Sequence, residues 1–369
     1  MNNPKKILED LIKIDSRVSR SNVEIVNYIA EKFPTEQVTS QTFNKGALKL
    51  HNLIIRIPGV NSDSPLVLAG HTDTVNPSDE WKLPPFEPCH GDGKIFGLGA
   101  SDMKSGLACM IGAALSLTEK PSQDVYLLFD ADEEGSGLGG RKLIEKLELK
   151  NARVIAAEPT DQSIIYAQKG SLDMKITLDG TSLHSSRTSL ENNLRNNAIY
   201  KAIKVCNSLI SYQKEIEQKE NTLLGRPNLN IGVMAGGTGA NVVAPHCVIE
   251  ICRRLIPEED IKEVYQEVSS VIISQASDAQ IEILFEGKPF QTDKNGKFMK
   301  QLLALAKGYI PDLKLDIKHG WTEAELFSRY GEAVIFGPGI SAASHQADEY
   351  APIGDLTLFT KIYHKLMIS

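Results

Sequence analysis

Three carboxylates stand side by side in Asp132-Glu133-Glu134, two residues after the apolar run Val125-Tyr-Leu-Leu-Phe129. A strand that delivers charge at its carboxyl end describes the crevice of an open α/β sheet, where ligands bind. Other apolar runs in the chain end the same way. Pro65-Leu-Val-Leu-Ala-Gly70 leads into His71-Thr-Asp73, Arg153-Val-Ile-Ala-Ala157 into Glu158-Pro159, and Glu332-Ala-Val-Ile-Phe-Gly-Pro-Gly339 is soon followed by His345. Asp102 sits in a glycine-rich turn, Gly97-Leu-Gly-Ala-Ser-Asp-Met-Lys-Ser-Gly106, at the mouth of a helix. Any one of these has an ordinary use, such as a solvated acidic turn or a helix cap. Together they supply imidazoles and carboxylates from separate loops to one sheet edge. That mixed nitrogen and oxygen set suits zinc and, less tightly, manganese or cobalt. A single zinc needs three or four such groups, whereas five with one shared carboxylate suit two ions about 3.5 to 4 Å apart. In an extended chain residues two apart face the same side, so Asp73 is expected to reach the ring of His71 or the ion that His71 holds.

The elements that must position these groups read as follows. Ile7, Leu8, Leu11 and Ile12, then Val23, Ile25, Val26 and Ile29, have helical spacing and predict two amphipathic helices. Strands are expected at 52–58, 65–70, 125–129, 153–159 and 332–339, those after the first solidly apolar as in a buried parallel sheet. Helices are expected after Asp102, over 141–149, over 297–308 and from about Asp355. From Gly170 the texture changes: Leu172, Met174, Ile176 and Leu178 alternate with polar residues, as in a half-exposed antiparallel strand. A helix over 191–215, strands at 229–234 and 248–255, a helix over 258–274 and a strand at 280–285 complete the order β-α-β-β-α-β of a ferredoxin-like unit. The expected architecture is therefore α/β: a doubly wound, mostly parallel sheet domain (residues 1–170 and 286–369) with an inserted ferredoxin-like α+β domain (171–285).

Composition agrees with a globular protein of about two domains: 369 residues, 41% hydrophobic and 24% charged. A net charge of -7 without a clustered basic face argues against nucleic acid. The charged amino-terminal stretch lacks the apolar core of a signal peptide, and no apolar run approaches the ~18 residues of a membrane span. A cytoplasmic protein with no membrane partner is the expectation. The five cysteines show no CxxC pair, so they read as buried thiols and not as a disulfide framework or thiolate metal site. Neither the GxGxxG nor the Walker spacing is present, which excludes the usual nucleotide loops.

Five ordered motifs, His71-Thr-Asp-Thr, Gly99-Ala-Ser-Asp-Met-Lys104, Asp132-Glu-Glu-Gly135, Ala157-Glu-Pro159 and His345-Gln-Ala-Asp-Glu-Tyr350, resemble the co-catalytic zinc family of acetylornithine deacetylase, succinyl-diaminopimelate desuccinylase, aminoacylase and glutamate carboxypeptidase. The resemblance spans nearly the whole chain. It implies two zinc ions, with cobalt or manganese as substitutes, bridged by Asp102. His71 and Glu158 would complete one site, Glu134 and His345 the other. Glu133 would be the general base, taking a proton from the attacking water and passing it to the leaving amine. His184, in Ser182-Leu-His-Ser-Ser186, resembles the lid histidine that stabilises an oxyanion, often across a dimer. Asn241, in Gly236-Gly-Thr-Gly-Ala-Asn241, resembles a substrate-binding lid asparagine, and Arg254, three residues before Pro257, the arginine that grips a substrate carboxylate. An Asp often found two residues before that arginine is Cys252 here, which puts the local lid hydrogen bonding in question.

The resemblance also implies a homodimer formed through the inserted domain and a small N-acyl amino acid as substrate. Trp321-Thr-Glu-Ala324 and Phe336-Gly-Pro-Gly339 look more like acetylornithine deacetylases, and place Thr322 and Gly337 among the expected substrate-binding positions. Gly320-Trp-Thr and His184-Ser-Ser-Arg187 are similar to some desuccinylases, where Arg187 or Lys169 could meet a succinyl carboxylate. The balance leans to deacetylation, with desuccinylation, or peptide cleavage as a carboxypeptidase or dipeptidase, as alternatives. A metal-binding scaffold without catalysis is the competing class; it has no need of a base, and Glu133 is present.

Overall fold

A computed structural model describes residues 3–369 and divides the chain into two compact units. Of the amino-terminal stretch read above, Met1 and Asn2 lie outside the described residues. The first unit comprises Met1–Tyr166, Thr292–Asp316 and Thr322–Ser369; the second comprises Ala167–Gln291 and Ile317–Trp321.

In the first unit the sheet runs Val38–Lys45, Leu48–Ile57, Gln123–Asp130, Asn61–His71, Ala152–Pro159, Gly331–Gly337. The last four are mutually parallel, and the first two are antiparallel additions at one side. Leu66 to Ala69, Leu127 to Phe129 and Val154 to Ala156 are completely buried, which is why these strands carry no polar alternation. One face packs under Pro4–Ile12, Ser105–Ala114 and Ile353–Met367, the other under Leu138–Lys146. The parallel register sets the site: His71 lies opposite Asp130, and Ala69 opposite Ala156, so His71 and Glu158 each stand two residues beyond one cross-strand pair.

The second unit is a four-stranded antiparallel sheet in the order Asn228–Gly236, His246–Leu255, Gly170–Asp179, Gln280–Gly287. Ala198–Ile216 and Ile261–Gln275 cover one face and bury Leu172, Met174, Ile176 and Leu178 against it. This is the order of the split βαβ unit expected from the sequence.

Three local expectations need correction. The strand Val38–Lys45 was not foreseen, because an exposed edge strand of sequence VTSQTFNK has no apolar face to announce it. The helix expected over 141–149 runs Leu138–Lys146. Its first turn contains Gly139, where a Cβ would fall 2.0 Å from the Ala131 carbonyl; the glycines that close packing requires also hide the helix start. The helix expected over 191–215 is two helices, Leu190–Asn196 and Ala198–Ile216. Asn197 ends the first and caps the second, its side chain accepting the Ile199 amide at 3.0 Å. No described helix is long and apolar enough to cross a membrane.

Candidate metal centre

Asp102 does not cap a helix. The following helix begins at Ser105, and the Asp102 backbone is extended at φ -115, ψ 95. Its position is set by Glu349, a buried carboxylate that accepts the amides of Gly99 (2.8 Å), Ser101 (2.8 Å) and Asp102 (2.7 Å). Three donors on one side chain hold the turn open, so that both oxygens of Asp102 are presented.

These oxygens face different partners. Oδ1 lies 3.2 Å from Nε2 of His71, which is itself 3.8 Å from Glu158 Oε1. Oδ2 lies 3.7 Å from Nε2 of His345, which is 2.9 Å from Glu134 Oε1. Within each trio, His71–Asp102–Glu158 and Asp102–Glu134–His345, the potential ligand atoms all lie within 4.8 Å of one another. His71 and Glu158 are buried, whereas His345 is half exposed at the mouth. Two trios sharing one two-armed carboxylate have the form a pair of divalent cations takes, with imidazole and carboxylate donors suited to zinc, cobalt or manganese.

The supporting contacts differ from expectation at Asp73. Its carboxylate is 3.9 Å from His71 Nδ1, and the contact to the ring comes instead from its main-chain carbonyl, at 2.9 Å. That contact makes Nδ1 the donor to the carbonyl and turns Nε2 toward Asp102 and Glu158. The Asp73 side chain instead accepts the amides of Glu133 (3.2 Å) and Glu134 (3.1 Å). It clamps the acidic pair, because the strand ends at His71 and the chain turns there, so the two-residue alternation no longer applies. Asp132, at φ 68, is tied to Lys45 (2.5 Å) and to Ser136 (2.6 Å), so the turn carrying Glu133 and Glu134 is held from both sides.

The electrostatics are those of crowded acids. Burial pushes Glu133 well above the usual carboxylate range; His71 opposes this, and Glu158, Glu323 and Glu134 add to it. Burial pushes His71 down, but Asp102, Glu133, Glu158 and Asp73 outweigh it and hold the ring protonated well above its ordinary value. His345 rises to about 9, mainly through its hydrogen bond to Glu134. Glu323 and Asp130, both fully buried, have side-chain oxygens without a hydrogen-bond partner among the described residues. Acids so placed call for positive charge, and cations are the fitting occupant.

Glu349, Glu323 and Asp130 were not picked out as site residues from sequence. Glu349 and Glu323 lie inside motifs singled out there, but nothing in one dimension marks a carboxylate as buried.

The other expected positions are placed as follows. His184 is exposed in the second unit, where its Nδ1 meets the Ser186 hydroxyl at 2.8 Å. It bridges Val242, and the Ser185 amide donates to the Asn241 carbonyl at 2.9 Å, so His184 and Asn241 share one edge of that unit. Arg254 is half-buried on His246–Leu255; its neighbour Arg253 is fully buried on Glu259 at 2.6 Å. Cys252 lies directly across the ladder from Asp173, and Ser171 donates to Asp173 at 2.8 Å while meeting the Cys252 sulfur at 3.5 Å. A carboxylate thus stands beside position 252 from the neighbouring strand. Thr322 is buried and accepts the Ala324 amide at 3.3 Å. Gly337 exchanges hydrogen bonds with the Thr160 hydroxyl and has no room for a Cβ, which would lie 2.2 Å from the Ala157 carbonyl. Lys169 donates to the Arg226 carbonyl, while Arg187 is exposed.

A family model described as peptidase family M20/M25/M40 matches residues 67–369. Among curated proteins, the chain is 27% identical to a succinyl-diaminopimelate desuccinylase of Delftia acidovorans, covering 100% of this chain and 98% of the relative. It is 26% identical to an acetylornithine deacetylase of Buchnera aphidicola, covering 98% and 96%. Among solved structures, an M20 family metallo-carboxypeptidase from Sulfolobus solfataricus superposes with TM-score 0.79 at 18% identity, covering 100% of this chain and 98% of that one.

Proposed function

This chain belongs to peptidase family M20/M25/M40, and on that premise we propose that it is a dinuclear amidohydrolase removing the acyl group from an N-acylated amino acid. The observation that carries the reading is Asp102 reaching both trios, His71 and Glu158 through one oxygen, Glu134 and His345 through the other. These five residues would hold two cations, zinc as first choice. When bound, such ions polarise a scissile carbonyl and lower the pKa of a water at the site. Glu133 stands beside a ligand, in a setting that favours its protonated form. That is the property needed of a group that takes a proton from water and delivers it to a leaving amine. Asp73 keeps its peptide in place, and Glu349 keeps Asp102 presented.

The acyl group we assign is succinyl, supported by the desuccinylase of Delftia acidovorans among the relatives. Acetyl is the second reading, supported by the Thr322-Glu-Ala324 run and by the deacetylase of Buchnera aphidicola. Lys169 is already engaged by Arg226, so Arg187 is the better candidate for a succinyl carboxylate and Arg254 for the amino-acid carboxylate. The second unit would serve as lid and dimer surface and contribute His184 and Asn241 to substrate binding, and the first unit would contribute Thr322 and Gly337.

The test is turnover of N-succinyl-diaminopimelate, N-acetylornithine and a dipeptide panel by zinc-loaded protein. Cleavage confined to dipeptides overturns the deacylase reading. Glu133→Gln should lower kcat about 10²- to 10⁴-fold with metal content unchanged. Retained turnover removes Glu133 from its role.

A further inference from the structure

We propose that Glu133, Glu158 and Glu323 form a third, all-carboxylate cation position, whose occupant inhibits the enzyme by occupying Glu133. Each of the three offers an oxygen within 4.8 Å of the other two. Glu323 is fully buried, and neither of its oxygens has a hydrogen-bond partner among the described residues. A carboxylate removed from water without a donor is costly, so the position asks for an occupant. Asp130, also buried and unpartnered, stands close behind; a Cβ on Gly140 would lie 2.9 Å from Asp130 Oδ2 and 3.9 Å from Glu323 Cβ.

Charge points the same way. Asp102, Glu133, Glu134, Glu158, Glu323 and Asp130 gather six carboxyl groups, and Glu323 and Asp130 belong to neither of the two trios.

Donor chemistry separates this position from the other two. The trios that include His71 and His345 suit zinc. Three carboxylates and no imidazole form a hard oxygen set that suits manganese, magnesium or calcium. Glu158 would be shared with the first trio, and Glu133 would be drawn into coordination. A carboxylate bound to a cation is a much weaker base, because the cation withdraws charge from it, so turnover falls as the position fills. This consequence rests on the reading of Glu133 as base; the binding itself does not.

The experiment loads the full chain with two equivalents of zinc and titrates it with Mn²⁺, counting bound Mn²⁺ by electron paramagnetic resonance and retained zinc by mass spectrometry. One Mn²⁺ per chain should bind with zinc retained, and turnover should fall in step with occupancy. Glu323→Gln should weaken Mn²⁺ binding at least about tenfold and abolish the inhibition, with two zinc ions retained. Should Glu323→Gln not fold, as read by thermal melting, Glu323→Asp keeps the charge on a shorter arm and should bind Mn²⁺ more weakly than the unaltered chain. No Mn²⁺ beyond the two zinc ions, displacement of zinc, or inhibition unchanged in Glu323→Gln each overturns the site. Mn²⁺ bound without loss of turnover overturns its inhibitory role. Failure of the base reading appears separately, as retained turnover in Glu133→Gln.

Discussion

At the scale of single residues, the centre depends on carboxylates used in three different ways. Asp102 offers both oxygens outward, Asp73 spends both on the amides of the acidic pair, and Glu349 spends both on the turn before Asp102. The second use suggests a sharp test. Asp73→Asn keeps the shape and the carbonyl that holds His71, but replaces one acceptor with a donor facing an amide. We expect kcat to fall about 10- to 100-fold with little change in first-equivalent zinc affinity, measured by chelator competition. An equal loss of zinc affinity would show that the side chain serves His71 after all. From sequence, the two-residue spacing of His71 and Asp73 correctly suggested a link but assigned it to the wrong atom, since a strand's alternation ends where the strand does.

At the scale of elements, the loops that carry the two trios are set by strand register and by one brace between distant parts of the chain. The four parallel strands were legible because burial on both faces leaves an unbroken apolar run, and the candidate ligands stand in the loops that follow them. Val38–Lys45 and the start of Leu138–Lys146 were not legible: one is an exposed edge, and the other opens on glycines that packing demands. Glu349 was equally hidden, for its role exists only because the short strand Tyr350–Pro352 pairs with Lys94–Phe96 and brings the far end of the chain beside Gly99. Glu349→Gln tests the brace. The Gln oxygen can keep the amides of Ser101 and Asp102, but its NH₂ then faces the Gly99 amide. Affinity for both cations, and not for one alone, should drop about 10- to 100-fold, because Asp102 serves both trios. A loss restricted to one site would argue against the shared carboxylate.

At the scale of the whole molecule, the crowded acids make stability depend on pH in a direction the shifts determine. Burial lifts Asp73 to about 6, Asp130 to about 7 and Glu349 to about 8, and the hydrogen bond that His345 donates to Glu134 leads in lifting His345 to about 9. Each group therefore holds its proton more tightly folded than unfolded. The stability this contributes is complete below the unfolded values, near pH 4 for the acids and 6.5 for the histidine, and drains away as pH rises through the folded values. Bases lowered by burial run the other way: His51 gains as pH rises toward its ordinary value, Lys104, lowered to about 8, gains only above that pH, and Lys169 is lowered as well. Below pH 8 the raised groups outnumber them. Metal-stripped protein should thus melt lower at pH 8 than at pH 6, by on the order of 5 °C. With both cations bound the dependence should shrink or reverse, since ligation replaces protons and strengthens as they leave. Differential scanning calorimetry in chelator and in zinc, at the two pH values, makes the comparison. A metal-stripped protein that is steadier at pH 8 than at pH 6 would mean that the acids around His71 are not gathered as described.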